Sequence, residues 1–266
     1  MFSVSLITQL YRRGTCDGEP HNVKGSRNME HEKLWYLRRL DIFSGLSDEE
    51  YGVIDRDSQS LYLRKRQLLP FRGTAQQAVY FVKKGSIKLV RTSAQGHDFI
   101  IDILGPSTLF GELEGGLDAD GSEVIAEALE ETLLCMMRRE NFDRLMALVP
   151  SLGTRITKLS GLRLRKIQNR LVDMLYSSVE ARLAKTFLAL ANEFGVTGRD
   201  GLLIDLRLTH NDYAGLIAST RETVSTGLNA LCRRGVIDIL DHRVLLKDQE
   251  QLTRLAGREI PGEIRG

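Results

Sequence analysis

The stretch from Ser151 to Tyr176 constrains the whole chain. It contains no proline, and Leu152, Ile156, Leu159, Ile167, Leu171 and Met174 recur on one stripe at three-, four- and eight-residue steps. Arg155, Lys158, Arg163, Arg165, Lys166 and Arg170 stud the remaining faces, against the single acid Asp173. A helix this long with a narrow apolar seam needs a partner, most simply its own copy in a dimer. The alternative is packing only on its own β domain. Arg163 falls on the seam and interrupts the heptad.

Ahead of this helix the hydrophobic period is two. Short apolar-polar runs occupy Ser60–Arg64, Gln67–Phe71, Ala78–Lys84, Gly85–Thr92, Phe99–Leu104, Glu123–Ala128 and Thr132–Arg138. Turn residues separate them, which predicts a closed or sandwich-like β domain. Asn141–Val149 reads as a short helix ended by Pro150, and Ser47 with Glu50 has the spacing of a capping box. Residues 1–28 hold Gly14, Gly18, Pro20 and Gly25 without periodicity and read as a disordered leader, or as sequence upstream of a true start at Met29. From Glu30 an amphipathic pattern places Leu34, Leu37, Leu40 and Ile42 at near-helical spacing.

Behind the long helix the period is helical again. Glu180–Phe194 is amphipathic, Gly195–Gly201 a polar loop and Leu202–Leu206 a short strand. Thr209–Leu231 then reads as two helices across a tight turn, with Thr209/Asp212 and Ser219/Glu222 as capping boxes. The first buries Tyr213, Leu216 and Ile217; the second buries Val224, Leu228 and Leu231, leaving Arg221, Glu222, Ser225, Thr226 and Asn229 on the opposite face. Such groups suit base edges in a DNA major groove, whereas an ordinary helical hairpin would simply hydrate them. Val236–Leu240 and Arg243–Leu246, joined by Asp241-His242, form a hairpin, Lys247–Ala256 a last helix, and the tail from Gly257 is loose.

Composition sets outer limits. The 266 residues allow one or two domains, and a net charge of +2 does not by itself imply a nucleic-acid partner. From Ala181 onward 12 Lys and Arg face 11 Asp and Glu, so any DNA contact rests on a local patch. Cys16, Cys135 and Cys232 have no metal-ligand spacing, which predicts no metal and a reducing, cytoplasmic setting. No apolar run is long enough for a membrane span. The chain has no HExxH, no glycine-rich phosphate loop and no convincing Ser/His/Asp set, so an enzyme is not expected.

The order of parts resembles the CRP/FNR superfamily of bacterial transcription regulators. The resemblance covers about residues 30–250 and rests on Phe110-Gly-Glu-Leu, Val82-Lys-Lys-Gly-Ser-Ile, Glu180-Ala-Arg-Leu-Ala and Ser219-Thr-Arg-Glu-Thr-Val-Ser. It implies an α+β fold. After the leader (1–28) come a β-roll of the cyclic-nucleotide-binding, jelly-roll type (29–150), a dimerisation helix (151–177), a winged helix-turn-helix (178–256) and a tail (257–266). It also implies a homodimer that reads a pseudo-palindromic promoter site on double-stranded DNA and works with RNA polymerase.

Carried over by position, Arg221 and Glu222 match a pair that reads a G·C step, and Ser225 matches a base-reading serine. Thr226 stands where both main branches usually carry arginine, and Ala218 where the turn usually has glycine. Thr209, His210, Asn211, Thr220 and Arg243 are placed to meet phosphates.

The family's cyclic-nucleotide pocket pairs Gly-Glu for the ribose with Arg-Ser for the cyclic phosphate. Gly111 and Glu112 are present, but ungapped counting places Ser122 and Glu123 at the Arg-Ser pair, and Ile167 and Gln168 at the adenine contacts. Between Arg91 and Arg138 there is no Lys or Arg but ten acids, a hostile setting for a phosphate. The expectation is a regulator unresponsive to cyclic AMP, with no iron–sulfur cluster, since only Cys16 lies near the N-terminus, and no haem, since the roll offers His97 at a hairpin tip, where a lone histidine is simply solvated. Gating by another ligand, such as a cyclic dinucleotide or a haem-bound gas, and a scaffold role with weak DNA binding are the alternatives.

Overall fold

The computed structural model describes residues 41–70, 78–93, 96, 98–111 and 124–257. The expected leader, the pattern through Leu40, Cys16, His97, Glu112, Ser122, Glu123 and the tail beyond Gly257 lie outside the described residues.

A 3-10 turn (Asp41–Phe43) leads to α1 (Asp48–Asp57), whose N-terminus is closed by the reciprocal Ser47–Glu50 capping box. Eight strands follow: β1 (Ser58–Leu63), β2 (Leu68–Pro70), β3 (Ala78–Lys84), β4 (Ile87–Thr92), β5 (Asp98–Leu104), β6 (Leu109–Gly111), β7 (Val124–Ala128) and β8 (Thr132–Arg138). They form two antiparallel sheets, ordered β1-β8-β3-β6 and β2-β7-β4-β5. Strand β3 is buried at six successive positions, because its two faces serve two different cores. Tyr80 and Val82 face the space between the sheets with Leu89, Phe110 and Leu134. Val79 and Phe81 face outward onto a helical layer made by Phe43, Ile54, Phe142, Leu145, Leu152 and Ile156.

That layer combines the 3-10 turn and α1 with α2 (Arg139–Leu148) and the start of α3 (Pro150–Tyr176), a helix of 27 residues and about 40 Å at 1.5 Å per residue. Leu152 and Ile156 were expected on a dimer seam; both are buried within the chain in one cluster with Phe43 and Phe142. The cause is that α2 and the 3-10 turn already cover the first two turns of the helix. Arg163, expected to interrupt the seam, reaches back instead to the Leu109 carbonyl and to Asp102 at 3.2 Å.

The C-terminal domain comprises α4 (Val179–Phe194), β9 (Gly195–Thr197), β10 (Leu202–Ile204), α5 (His210–Ile217), α6 (Arg221–Arg233), β11 (Ile237–Leu240), β12 (Arg243–Leu246) and α7 (Gln249–Ala256). Its sheet runs β11-β12-β10-β9, so the expected loop at Gly195 opens as a strand paired with Leu202–Ile204. The β11–β12 hairpin turns on Asp241 and His242, both at positive φ as a two-residue turn requires. Phe187 and Tyr213, ring centroids 5.4 Å apart edge to face, fill the centre of the helical core.

The bend between α5 and α6 is made by Ala218 at φ 48° and ψ 61°. A left-handed alanine costs about 1–2 kcal/mol, of which the added chain entropy of glycine returns part. Ala218→Gly is expected to stabilise the domain by about 1 kcal/mol, raising the thermal midpoint by about 2–4 °C in calorimetry. An unchanged or lower midpoint contradicts a strained turn.

Candidate nucleic-acid interface

The two helices at the heart of the C-terminal domain are positioned by their caps. Thr209 caps α5: its hydroxyl accepts from the Asp212 amide at 3.2 Å, while Asp212 Oδ2 accepts from the Thr209 amide at 2.8 Å. The second cap differs from the expected Ser219/Glu222 box. Ser219 is still part of the bend, its amide donating to the Ala214 carbonyl, so the cap falls to Thr220, which accepts from the Thr223 amide at 3.2 Å. Thr220 thereby also loses part of its capacity for a phosphate, since its hydroxyl lies 2.9 Å from that of Thr223.

Helix α6 buries Val224, Leu228 and Leu231 completely. The opposite face carries Arg221, Glu222, Thr226 and Asn229, all exposed, with Ser225 half-buried beside them. Arg221 and Glu222 are the first two residues of the helix, and both are exposed. Ser225 is more constrained: its hydroxyl donates to the Arg221 carbonyl at 2.8 Å and lies 2.7 Å from Nδ1 of His210. His210 thus links the first helix to the polar face of α6. Thr226 bonds back to the Glu222 carbonyl at 3.1 Å, leaving its methyl for apolar contact. Asn211 is exposed near the α5 N-terminus, and Arg243 sits in the wing, 3.3 Å from Asp205. An exposed donor, Arg221, beside an exposed acceptor, Glu222, at one helix end and framed by a hairpin, has the geometry of a winged helix-turn-helix.

Residues 60–148 match the cyclic nucleotide-binding domain family, and residues 181–255 the Crp-like helix-turn-helix domain family. The chain belongs to the CRP/FNR family of transcription regulators. A CRP-like cAMP-activated global transcriptional regulator of Mycobacterium tuberculosis is 28% identical over 83% of this chain and 98% of its own. The cyclic AMP receptor protein of Thermus thermophilus is 29% identical over 83% and 98%. In fold the chain is similar to a CooA mutant from Carboxydothermus hydrogenoformans, with a TM-score of 0.64, 21% identity, and 80% and 92% of the two chains covered.

In this CRP/FNR regulator, Gly111, Ile167 and Gln168 of the expected effector pocket belong to the described residues. Gly111 ends β6 at φ 121°, and a Cβ there would lie 2.4 Å from the Ala78 carbonyl, so only glycine fits. Ile167 and Gln168 are exposed on α3. Cys135 is fully buried in β8 and packs as core; among the described residues no cluster could hold a metal ion, and no helix is long and apolar enough to cross a membrane.

Sequence reasoning missed the contacts that tie this interface to the rest of the molecule. Lys88 of β4 lies 2.7 Å from Asp212 and 3.0 Å from Glu127. Arg170 of α3 donates to the carbonyls of Ile100, Ile101 and Leu216, all within 2.8 Å, and Arg182 of α4 to that of Ile217 at 2.6 Å. Burial opposes the ionised form of Asp212, yet the hydrogen bonds from Lys88 and Thr209 outweigh it and hold the carboxyl below its ordinary range. No local signal marks a pairing that spans 124 residues.

Arg221→Ala and Glu222→Ala are each expected to cost about 1–3 kcal/mol against a bound site, and only at the base pair each residue reads. Competition binding with single-base variants of the site checks this. A uniform loss across all sequences would instead make them phosphate contacts.

Proposed function

We propose that this protein is a homodimeric, sequence-specific regulator of transcription that does not use cyclic AMP. The observation that carries the reading is the division of labour on α6: Val224, Leu228 and Leu231 hold the helix in its core while Arg221 and Glu222 stand free beside Ser225. Thr209, His210, Asn211, Thr220 and Arg243 surround them as anchors on the phosphates. Those of them whose side chains are bonded within the protein would give up or share those bonds on DNA. Thr226, lacking a guanine-specific fork, marks where the half-site departs from that of relatives with arginine there.

Dimerisation is supported by the second half of α3. Leu159, Leu162, Leu164, Ile167, Leu171 and Leu175 are all 39% exposed or more, although they lie on the longest helix. Leu164, Leu171 and Leu175 stand seven and four residues apart, the spacing of a coiled-coil seam. A twofold pair of such helices places two reading helices about 34 Å apart, one DNA turn, and so favours a pseudo-palindrome. RNA polymerase is the expected partner at such a promoter.

Two relatives are named for cyclic AMP. Against that ligand here stand the segment without Lys or Arg between Arg91 and Arg138 and the mismatch of Ser122 and Glu123 to an Arg-Ser pair.

A shift assay on the DNA upstream of the protein's own coding sequence, with and without cyclic AMP and with Leu171→Glu, tests the reading. Specific binding unaffected by millimolar cyclic AMP is expected, with at least a hundredfold loss in Leu171→Glu, because one half-site holds weakly. Tightening of the complex by micromolar cyclic AMP, or full binding by the Leu171→Glu monomer, contradicts it.

A further inference from the structure

A serine on a reading helix is chemically ambiguous, because a hydroxyl can donate to a base edge or accept from one and so suits any base. Its meaning depends on where its one proton is held. The surroundings of Ser225 decide that.

Ser225 is the fifth residue of α6, half-buried between the faces carried by the fully buried Val224 and Leu228. Its hydroxyl donates to the Arg221 carbonyl at 2.8 Å. A helical carbonyl already serves the backbone ladder, so alone it holds the proton weakly and leaves the hydroxyl able to turn toward a base. His210 prevents this turn. It is the first residue of α5, set by the Thr209–Asp212 capping box, and the bend at Ala218 folds α6 back until Ser225 Oγ lies 2.7 Å from Nδ1 of His210.

The proton count closes for every protonation state of the imidazole. Where Nδ1 carries no hydrogen, it is a second acceptor for the serine proton. Where Nδ1 carries one, it donates to the serine oxygen, and the serine proton stays on the Arg221 carbonyl. Both arrangements keep the proton inside the protein and leave a lone pair for the groove. Nε2 remains for a phosphate, so the two tasks of His210 use different nitrogens.

On the DNA side, the donors in the major groove are exocyclic amines, N6 of adenine and N4 of cytosine. Guanine N7 and O6, adenine N7 and thymine O4 all accept. Given the DNA-reading role of α6 proposed above, on which this rests, we propose that His210 makes Ser225 an acceptor-only reader, which contacts the exocyclic amine of an adenine or cytosine in each half-site. His210 is then a positioning residue that sets base specificity, besides its hold on phosphate.

Base analogues in a specific duplex, competed against the full-length chain by fluorescence anisotropy, test this. The base pair whose preference disappears in Ser225→Ala is the one Ser225 reads. Removing the exocyclic amine there, with purine for adenine or 2-pyrimidinone for cytosine, is expected to weaken the wild type about fivefold and Ser225→Ala not at all. Replacing the purine N7 by carbon is expected to change wild-type binding by less than about twofold. In His210→Ala the amine effect shrinks below about twofold and the N7 effect grows past it, because the freed hydroxyl can donate, while the preference read by Arg221 persists. A wild-type loss with the N7 analogue and none with the amine analogue would overturn the proposal. So would His210→Ala weakening every duplex equally with all base preferences intact, which makes His210 a phosphate contact alone. A preference lost in Arg221→Ala but nowhere altered in Ser225→Ala would overturn the proposal and uphold the DNA-reading role; no sequence preference in the wild type would refute both.

Discussion

One buried carboxylate holds the two halves of this protein in register. Asp102, on β5 and 5% exposed, meets Arg163 at 3.2 Å and Lys166 at 2.9 Å, both from the middle of α3. Lys166 also reaches Glu193 on α4 at 2.8 Å. Burial alone would lower the lysine's affinity for its proton, but the charges of Asp102 and Glu193 reverse the sign and keep it ionised. These two pairs make Asp102 a fixed point for α3. With the basic stripe committed to the roll, the leucine stripe has only outward directions left.

The same arrangement joins the roll to the C-terminal domain. Strand β5 is the shared wall: its outer end receives α5 at Gly215, and its carbonyls at Ile100 and Ile101 receive Arg170. The roll and the helix-turn-helix therefore meet directly at β5. The guanidinium of Arg170, 5.2 Å from the Phe99 ring, is the common link between the strand, the long helix and the turn of the DNA-binding domain.

Much of this was legible in the residues. Period-two runs gave β3, β8 and β12 with the bounds they have, because each is flanked by a clear turn or a change of period. The Ser47 and Thr209 boxes are local, closed within four residues, and both form. Strands β6 and β9, three residues each, carry too short a pattern to register and exist only because a neighbouring strand pairs with them. The Ser219 box failed because Ala218 takes a left-handed conformation and pushes the start of α6 one residue on. Leu152 and Ile156 had the right spacing for a seam but the wrong neighbour, since periodicity reveals a face without saying what covers it. Lys88, Glu127 and Gly215 gave no signal at all, because their roles depend on docking two domains that are distant in sequence.

Selection of bound duplexes from a random DNA pool tests the central claim, that two copies of α6 read DNA from a dimer built on α3, most directly. The account predicts an inverted repeat with half-site centres about 10 base pairs apart and a G·C pair in each half that disappears when Arg221 is replaced by Ala. No enriched motif, or a single half-site without a partner, would contradict it.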